Sequence, residues 1–261
     1  MHPDFPIGHV WLVGAGPGDP YLLTRKAERL LRAATIVFYD ALVGPAIIDL
    51  IPPSTRLVPV GKRSGRHSKD QKMIDRLLVE AAQAGERVVR LKGGDPSLFG
   101  RSQEEIAALT AAGFTPRICP GVTTASAAAA SAGVSLSLRG LARRVQFITA
   151  HSAAGQPLAL DWQGLADSGS TLAIYMRRAA AGEIARNLIA AGLDSGTPVL
   201  IACDVSLPAE QLVRTRLDLL ALTVKAMCGE RPTFIVIGEA VAVALASTQA
   251  ETLEETRHYA G

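Results

Sequence analysis

Two glycine-rich stretches carry the residue types best suited to holding a ligand. Residues 14–20 read GAGPGDP after the apolar run 10–13, and residues 92–96 read KGGDP after the run 87–91. Glycine lets the backbone adopt positive φ and come close to a bound molecule. Both stretches follow predicted strands, where open α/β sheets bind ligands. We interpret residues 14–20 as part of a ligand site, with a sharp bend alone as the alternative. The glycine pair at 93–94 likewise leaves room for the backbone to touch a ligand.

The first glycine-rich stretch invites comparison with a dinucleotide-binding turn, because Asp40 ends the next predicted strand. That fingerprint requires Gly-x-Gly-x-x-Gly, and its third glycine would fall at Asp19. Pro17 and Pro20 also remove two backbone donors that a pyrophosphate would need. The spacing therefore disfavours a nicotinamide or flavin enzyme.

A short basic stretch lies between residues 62 and 69. It suits a small polyanionic ligand at a loop, and an ordinary solvated loop is the alternative. Its members are Lys62, Arg63, Arg66, His67 and Lys69.

Composition excludes several classes of protein. The net charge of +3 is not gathered into a long basic run, which disfavours nucleic acid as a partner. The three cysteines and five histidines lack ligand or disulfide spacing, so we expect neither a metal site nor a disulfide framework. The apolar runs are shorter than the roughly 20 residues that cross a bilayer. The first eight residues lack the features of a signal peptide, which predicts a cytoplasmic protein without a membrane partner.

Short β-branched runs alternate with helical patterns, which predicts an α/β protein with a largely parallel sheet. Predicted strands cover residues 10–13, 35–39, 87–91, 116–119, 145–149, 171–175, 199–203 and 234–237. The alternation restarts after residue 119, so we predict two α/β domains rather than one long sheet. Their predicted bounds are residues 1–118 and 119–247, followed by a polar tail at 248–261.

An ordered set of motifs resembles the tetrapyrrole methylase family. The set is GAGPGDP with LLT at residues 14–24, YDALV at 39–43, VGKR at 60–63, RLKGGDPSLFGR at 90–101, PGVTT at 120–124 and YM at 175–176. Each fragment alone is weak, but their order and spacing together are specific. The match is strongest with the members that methylate uroporphyrinogen III.

This resemblance implies a fold of two α/β domains with a cofactor cleft between them, and a homodimer. It implies S-adenosyl-L-methionine as methyl donor and S-adenosyl-L-homocysteine as product. The implied reaction methylates rings A and B of uroporphyrinogen III to give precorrin-2, which leads to sirohaem, cobalamin or haem d1.

The family's cofactor contacts correspond to ten positions of this chain. Two of them have structural alternatives, because Asp95 would also serve as a helix cap and Met176 as core filling. The ten are Pro17, Gly93, Gly94, Asp95, Leu98, Thr123, Thr124, Met176, Val205 and Thr233.

The resemblance also implies catalytic roles, with Asp40 as proton acceptor and Lys62 as proton donor. The alternative for Asp40 is a cap on a helix that begins near Pro45. The substrate carries acetate and propionate groups, which arginine forks bind well. We therefore expect Arg63, Arg101 and Arg139 to bind substrate.

The second half departs from the family pattern. The family's Pro-Leu-Thr-His-Arg stands here as SLSLR at residues 135–139, so Leu138 replaces the histidine. This keeps two alternatives open: a methyltransferase for a later precorrin, and a non-catalytic S-adenosylmethionine-binding protein. A methylase of the same fold for diphthamide or ribosomal RNA is disfavoured by KGGDP and VGKR together.

Overall fold

The computed structural model describes residues 5–61, 71–150, 157–176 and 178–242. The chain divides into two compact units, Met1–Thr124 and Ala125–Gly261. Each unit contains a five-stranded sheet with helices. The predicted tail, residues 248–261, lies outside the described residues.

The first unit is built on a parallel sheet with strand order β3-β2-β4-β1-β5. Because all strands run the same way, their carboxyl ends lie at one edge. The elements in chain order are β1 Val10–Gly14, α1 Arg25–Ala33, β2 Ile36–Tyr39, α2 Pro45–Ile48, β3 Arg56–Pro59, α3 Gln71–Gln83, β4 Val88–Lys92, α4 Ser102–Ala111 and β5 Arg117–Cys119.

Local chemistry explains why α1 begins where it does after the first glycine-rich turn. Thr24 caps the helix, since its hydroxyl accepts from the backbone N–H of Ala27 at 3.1 Å. Ala27, Leu30 and Leu31 recur at helical spacing and are buried against the sheet. Strand β1 is buried along its whole length, as expected for a central parallel strand.

The second unit has a mixed sheet with strand order β6-β7-β10-β8-β9. Only the β6–β7 pair is parallel; the other three pairs are antiparallel. The elements are α5 Thr124–Ser131, which begins at the border, β6 Arg144–Ala150, α6 Trp162–Leu165, β7 Ser170–Met176, α7 Ala181–Ala190, β8 Pro198–Cys203, β9 Gln211–Arg216, α8 Leu220–Met227 and β10 Thr233–Ile237. Short 3-10 turns cover Pro20–Leu22, Arg178–Ala180, Leu217–Leu219 and Glu239–Val241.

The predicted α/β class is confirmed, and all eight predicted strands are present. The expectation of a largely parallel sheet holds for the first unit and is wrong for the second. The reason is visible at β8 and β9, because the connection over residues 204–210 is too short for a parallel crossover.

Four elements were not predicted from the sequence, among them α6, which has only four residues. Strands β3 and β9 lie at sheet edges and expose much of their length, so they lack a buried apolar run. Helix α5 is built from small residues, mainly alanine, which favour a helix without forming a stripe of large apolar side chains.

No helix within the described residues is long and apolar enough to cross a membrane. The same residues contain no group of three or more histidine, cysteine or acidic side chains that would hold a metal ion.

The three cysteines provide a simple test of the packing. Cys119, Cys203 and Cys228 are free and buried. Burial raises the pKa of the Cys119 thiol, and it raises the pKa of the Cys203 thiol to about 12. Because burial shields all three sulfur atoms from solvent, we expect none of them to react with a thiol reagent at pH 8 in the folded protein. All three should react after unfolding in guanidinium chloride. Fast reaction of any thiol in the folded protein would contradict this packing.

Candidate active site

The two glycine-rich turns meet at the carboxyl edge of the first sheet. The N–H of Gly94 donates to the carbonyl of Gly16 at 2.7 Å, and the N–H of Gly16 donates back to Gly94 at 3.2 Å. Pro17 follows Gly16 directly and is half-buried. The structure therefore joins the turn after β1 to the turn after β4.

A third loop, after β5, packs against the same point. A Cβ atom on Gly14 would lie 2.6 Å from Gly121 Cα and 2.7 Å from the carbonyl oxygen of Gly94. A Cβ on Gly121 would also clash with Gly94. Gly14 and Gly121 are thus required by close contact between loops, so packing explains part of what the sequence had attributed to a ligand.

Gly94 differs from these two glycines, because close packing does not require a glycine at this position. Its φ of +66° lies in the left-handed region, and a Cβ there would meet no atom of the described residues within 4 Å. At the neighbouring Gly93, a Cβ would lie 3.3 Å from the Cβ of Leu42, which is exposed. Gly93 is thus packed closely against Leu42, whereas the backbone at Gly94 is open to a ligand, which fits a cofactor cradle.

Asp95 connects two of the loops. Its Oδ1 accepts from the N–H of Ser97 at 2.7 Å, and its Oδ2 accepts from the N–H of Gly121 at 2.9 Å. The alternative role as cap of α4 is wrong, because Arg101 occupies the cap position of that helix. Asp95 is a clamp between the loops after β4 and β5, and its carboxylate keeps further lone pairs for a ligand.

Asp95→Asn tests this clamp. An amide oxygen replaces only one of the two acceptors, so one backbone N–H would face an NH₂ group. We expect the free energy of unfolding to fall by about 1–3 kcal/mol, measured by urea denaturation. Asp49→Asn, at the exposed C-cap position of α2, is the matched control and should cost less than about 0.5 kcal/mol. Equal stability of the two variants would contradict the clamp.

The loop that leads into α4 has an unusual backbone. Phe99 and Arg101 both have φ of +55°, although neither is glycine. Leu98, predicted to contact the cofactor, is half-buried in this loop. The Arg101 guanidinium is exposed and donates two hydrogen bonds of 2.7 Å to Glu104. Arg101 thus lies at the same edge of the sheet, but its fork is engaged by a neighbouring carboxylate.

Thr123 and Thr124 lie between β5 and the first turn of α5, and both are half-buried. They follow Gly121 within the loop that Asp95 holds. Within the first unit, the predicted cofactor positions therefore fall on three adjoining loops.

Asp40 follows β2, the strand next to β4, so it lies at the same edge. Among the described residues, Arg90 supplies the one side-chain hydrogen bond to its carboxylate, from Nη2 to Oδ1 at 2.5 Å. The Asp40 side chain is 29% exposed. The alternative role as a helix cap is wrong, because α2 begins after Gly44 and has no side-chain cap.

The partner of Asp40 belongs to a buried charge network that sequence reasoning missed. Arg90 Nε donates to Glu105 Oε1 at 2.8 Å, and Lys92 Nζ donates to Glu105 Oε2 at 2.6 Å. Arg90 is 3% exposed and Glu105 is fully buried. The available signal was the presence of Arg90 and Lys92 two residues apart within an otherwise apolar strand.

Burial and the nearby carboxylates shift the pKa values of Arg90 and Lys92 in opposite directions, and the net result differs between the two residues. Burial lowers the pKa of the Arg90 guanidinium, but the charges of Asp40 and Glu105 outweigh it, so the pKa is raised overall. Burial, assisted by the charge of Arg90, lowers the pKa of Lys92 despite the opposing charge of Glu105.

Lys62 and Arg63, predicted as proton donor and substrate ligand, lie outside the described residues. The preceding residue, Gly61, is described. A Cβ on Gly61 would lie 2.8 Å from the carbonyl carbon of Asp40, so the chain passes close to the Asp40 backbone just before Lys62.

The predicted cofactor positions of the second unit also converge, at one edge of its sheet. Thr233 of β10 pairs with Met176 of β7 on one side and with Cys203 of β8 on the other. Val205 lies two residues beyond Cys203, in a loop where Asp204 has φ of +51°. Met176, Val205 and Thr233 are all buried, so the core-filling alternative for Met176 stays open.

Arg139 lies in the second unit in a short β-turn that is closed by the Leu138–Ala142 bridge. This turn borders an open cavity of about 520 Å³, and Arg139 itself is exposed. The cavity is lined by Ser137, Leu138, Arg139, Ala142 and Arg143.

The motifs and the fold agree with one family. Residues 9–221 match the family described as Tetrapyrrole (Corrin/Porphyrin) Methylases. The chain belongs to the tetrapyrrole methylase family. It is 44% identical over 238 residues to the uroporphyrinogen-III C-methyltransferase of Paracoccus denitrificans (strain Pd 1222), covering 91% of this chain and 83% of that protein. It also matches siroheme synthases, of which it spans about half the length.

Solved structures of tetrapyrrole methylases share the fold. The uroporphyrin-III C-methyl transferase from Thermus thermophilus, complexed with S-adenosyl homocysteine, has a TM-score of 0.75 and 38% identity, covering 90% of this chain and 94% of that one. A cobalt precorrin-4 methyltransferase has a TM-score of 0.80 and 28% identity, covering 90% and 96%. The recognition of the family and the predicted fold class are thus confirmed.

Proposed function

We propose that this tetrapyrrole methylase transfers methyl groups from S-adenosyl-L-methionine to carbons of rings A and B of uroporphyrinogen III, giving precorrin-2 and S-adenosyl-L-homocysteine. The observation that carries the substrate assignment is the 44% identity, over 91% of the chain, to a protein named uroporphyrinogen-III C-methyltransferase. Among solved structures, identity is likewise higher to the uroporphyrin-III enzyme than to the cobalt precorrin-4 enzyme, at 38% against 28%.

The proposed cofactor contacts of the first unit are supported by the open backbone at Gly94 and by its pairing with Gly16. The cofactor, when bound, supplies an electrophilic methyl group on sulfur. Around it, Gly93, Gly94 and Asp95 would hold and orient the ligand, with Pro17, Leu98, Thr123 and Thr124 in the adjoining loops. The resemblance assigns further contacts to Met176, Val205 and Thr233 of the second unit.

The chain's own contribution to the chemistry is positioning and proton transfer. The acceptor is a peripheral pyrrole carbon that attacks the methyl group, and a proton is then lost from a neighbouring position of the tetrapyrrole. Asp40 is suited to accept that proton because its carboxylate is part-exposed at a strand end and held on one oxygen by Arg90. Lys62 would act as proton donor.

We propose that exposed arginines bind the acetate and propionate groups of the substrate. Support is strongest for Arg139, which is exposed and lines the same open cavity as the exposed Arg143, so that two cationic residues border one opening. Arg63 is proposed from the resemblance. Arg101 would have to share or exchange its present partner Glu104 to bind substrate.

We also propose a cytoplasmic homodimer. The homodimer rests on the resemblance, and light scattering at the mass of a monomer would refute it. The cytoplasmic location is supported by three free cysteines, which suit a reducing compartment.

One alternative substrate is favoured by a specific observation. The fold matches the cobalt precorrin-4 enzyme with a TM-score of 0.80, against 0.75 for the uroporphyrin-III enzyme. Together with Leu138 in place of the family histidine, this makes a later precorrin the second candidate. A protein that binds the cofactor and transfers nothing is the third.

The test is an anaerobic incubation of the purified protein with S-adenosyl-L-methionine and fresh uroporphyrinogen III, followed by mass spectrometry of the tetrapyrrole over time. We expect a gain of two methyl groups, absent without the cofactor. No gain, with S-adenosyl-L-homocysteine still binding in calorimetry, would contradict the proposal and favour the second or third candidate.

A further inference from the structure

The buried charge network links the proposed base to the strand that carries the proposed cofactor cradle. Arg90 and Lys92 are two residues apart in β4, so they project from the same face of the sheet. Glu105 of α4 packs on that face and accepts from both. The residues that directly follow Lys92 are Gly93 and Gly94.

We propose that Arg90 is a positioning residue for the reaction, which fixes the Asp40 carboxylate and is itself fixed by Glu105. This inference rests on the proposed role of Asp40 as proton acceptor. Arg90 would thereby fix the position of Asp40 relative to the cofactor loop, while contacting neither substrate nor cofactor.

All three nitrogens of the Arg90 guanidinium are engaged, which makes it a rigid support. Nε donates to Glu105 at 2.8 Å, Nη1 to the carbonyl of Leu91 at 3.1 Å and Nη2 to Asp40 at 2.5 Å. The planar fork cannot turn without breaking all three hydrogen bonds. A part-exposed aspartate at a strand end would otherwise sample several rotamers.

Stability alone is a weak reason for this network. Moving two cations and a carboxylate out of water is costly, and well-packed apolar side chains often stabilise a core as well or better. The network also sits at the carboxyl end of the sheet, with only the Asp40 member reaching the surface. A role in holding Asp40 accounts for both the location and the polarity.

The experiment is a double-mutant cycle with Arg90→Lys and Asp40→Asn. Lysine keeps the positive charge but has a single nitrogen, which cannot bridge Glu105 and Asp40 as the fork does. We expect Arg90→Lys to lower kcat by about 10²-fold, as for a misplaced catalytic group, with the Kd of S-adenosyl-L-homocysteine unchanged. In the Asp40→Asn background the same change should lower kcat by less than about twofold.

Val88→Ala is the control for a purely structural effect. Val88 is fully buried at the opposite end of the same strand. This variant should lower the melting temperature while leaving kcat nearly unchanged in both backgrounds. If Arg90→Lys does not fold, Glu105→Gln takes its place in the double-mutant cycle with Asp40→Asn. This substitution weakens the hold on Arg90 while keeping its guanidinium group.

Different outcomes separate this inference from the proposed function. If the wild-type protein methylates and Asp40→Asn is impaired, yet Arg90→Lys is fully active or equally damaging in both backgrounds, the positioning role is refuted. Failure of both Arg90→Lys and Glu105→Gln to fold would assign the network to folding and also refute it. A wild-type protein without methyl transfer, or Asp40→Asn with full activity, would refute the proposed function instead.

Discussion

Asp40→Asn is expected to lower turnover by about 10²–10⁴-fold, the usual contribution of a general base. Asparagine has nearly the same shape and can still accept the hydrogen bond from Arg90, but it cannot take up the proton that the methylated tetrapyrrole loses. Binding of S-adenosyl-L-homocysteine should stay within about twofold of wild type, because a catalytic base need not contribute to cofactor affinity. Steady-state kinetics and calorimetry provide the two measurements.

Asp49→Asn is the matched control for this variant. Asp49 lies on the exposed end of α2, nine residues further along the same unit, and undergoes the same chemical change. It should retain full turnover. Turnover of Asp40→Asn equal to that of the control would remove Asp40 from the mechanism.

The second large effect is expected from Gly94→Val, which should raise the Kd of S-adenosyl-L-homocysteine at least about 100-fold, or about 2.7 kcal/mol. A valine side chain would fill the space beside the open backbone, where the described residues leave room within 4 Å. The protein should still fold, because the Cβ of that side chain meets no described atom. Its positive φ will cost about 1–3 kcal/mol of stability.

Gly113→Val separates the backbone strain from the loss of binding. Gly113 follows α4 and has φ of +87°, and a Cβ there, as at Gly94, would meet no atom of the described residues within 4 Å. This variant should lose similar stability and bind the cofactor normally. Equal cofactor affinity in the two valine variants would contradict the cradle at Gly94.

Much of the fold could be predicted because central strands and amphipathic helices leave strong patterns. Strand β1 is a continuous apolar run, and α1 has a capping Thr24 followed by buried residues at helical spacing. Edge strands such as β9 lack such a pattern, since only part of their surface is buried. The antiparallel pairing of the second sheet depends on which strands become neighbours, which local periodicity does not encode.

The sequence predicted the loops of the candidate site, but it did not predict the side-chain contacts that hold those loops in place. Glycines at strand ends pointed to residues 14–20 and 92–96, and the structure pairs Gly16 with Gly94. The clamp from Asp95 to Gly121 joins residues 26 positions apart, and the network from Asp40 to Arg90 joins residues 50 apart. Such contacts arise from the strand order, so the sequence showed these side chains without showing their partners.

The central claim, methylation of uroporphyrinogen III on rings A and B, is tested most directly by locating the transferred carbon. The protein would be incubated anaerobically with uroporphyrinogen III and S-adenosyl-L-methionine that carries a ¹³C-labelled methyl group, and the product examined by NMR. We predict two labelled methyl groups, one on ring A and one on ring B. The claim would be contradicted if uroporphyrinogen III stayed unlabelled while the same protein, under the same conditions, transferred the label to a later precorrin.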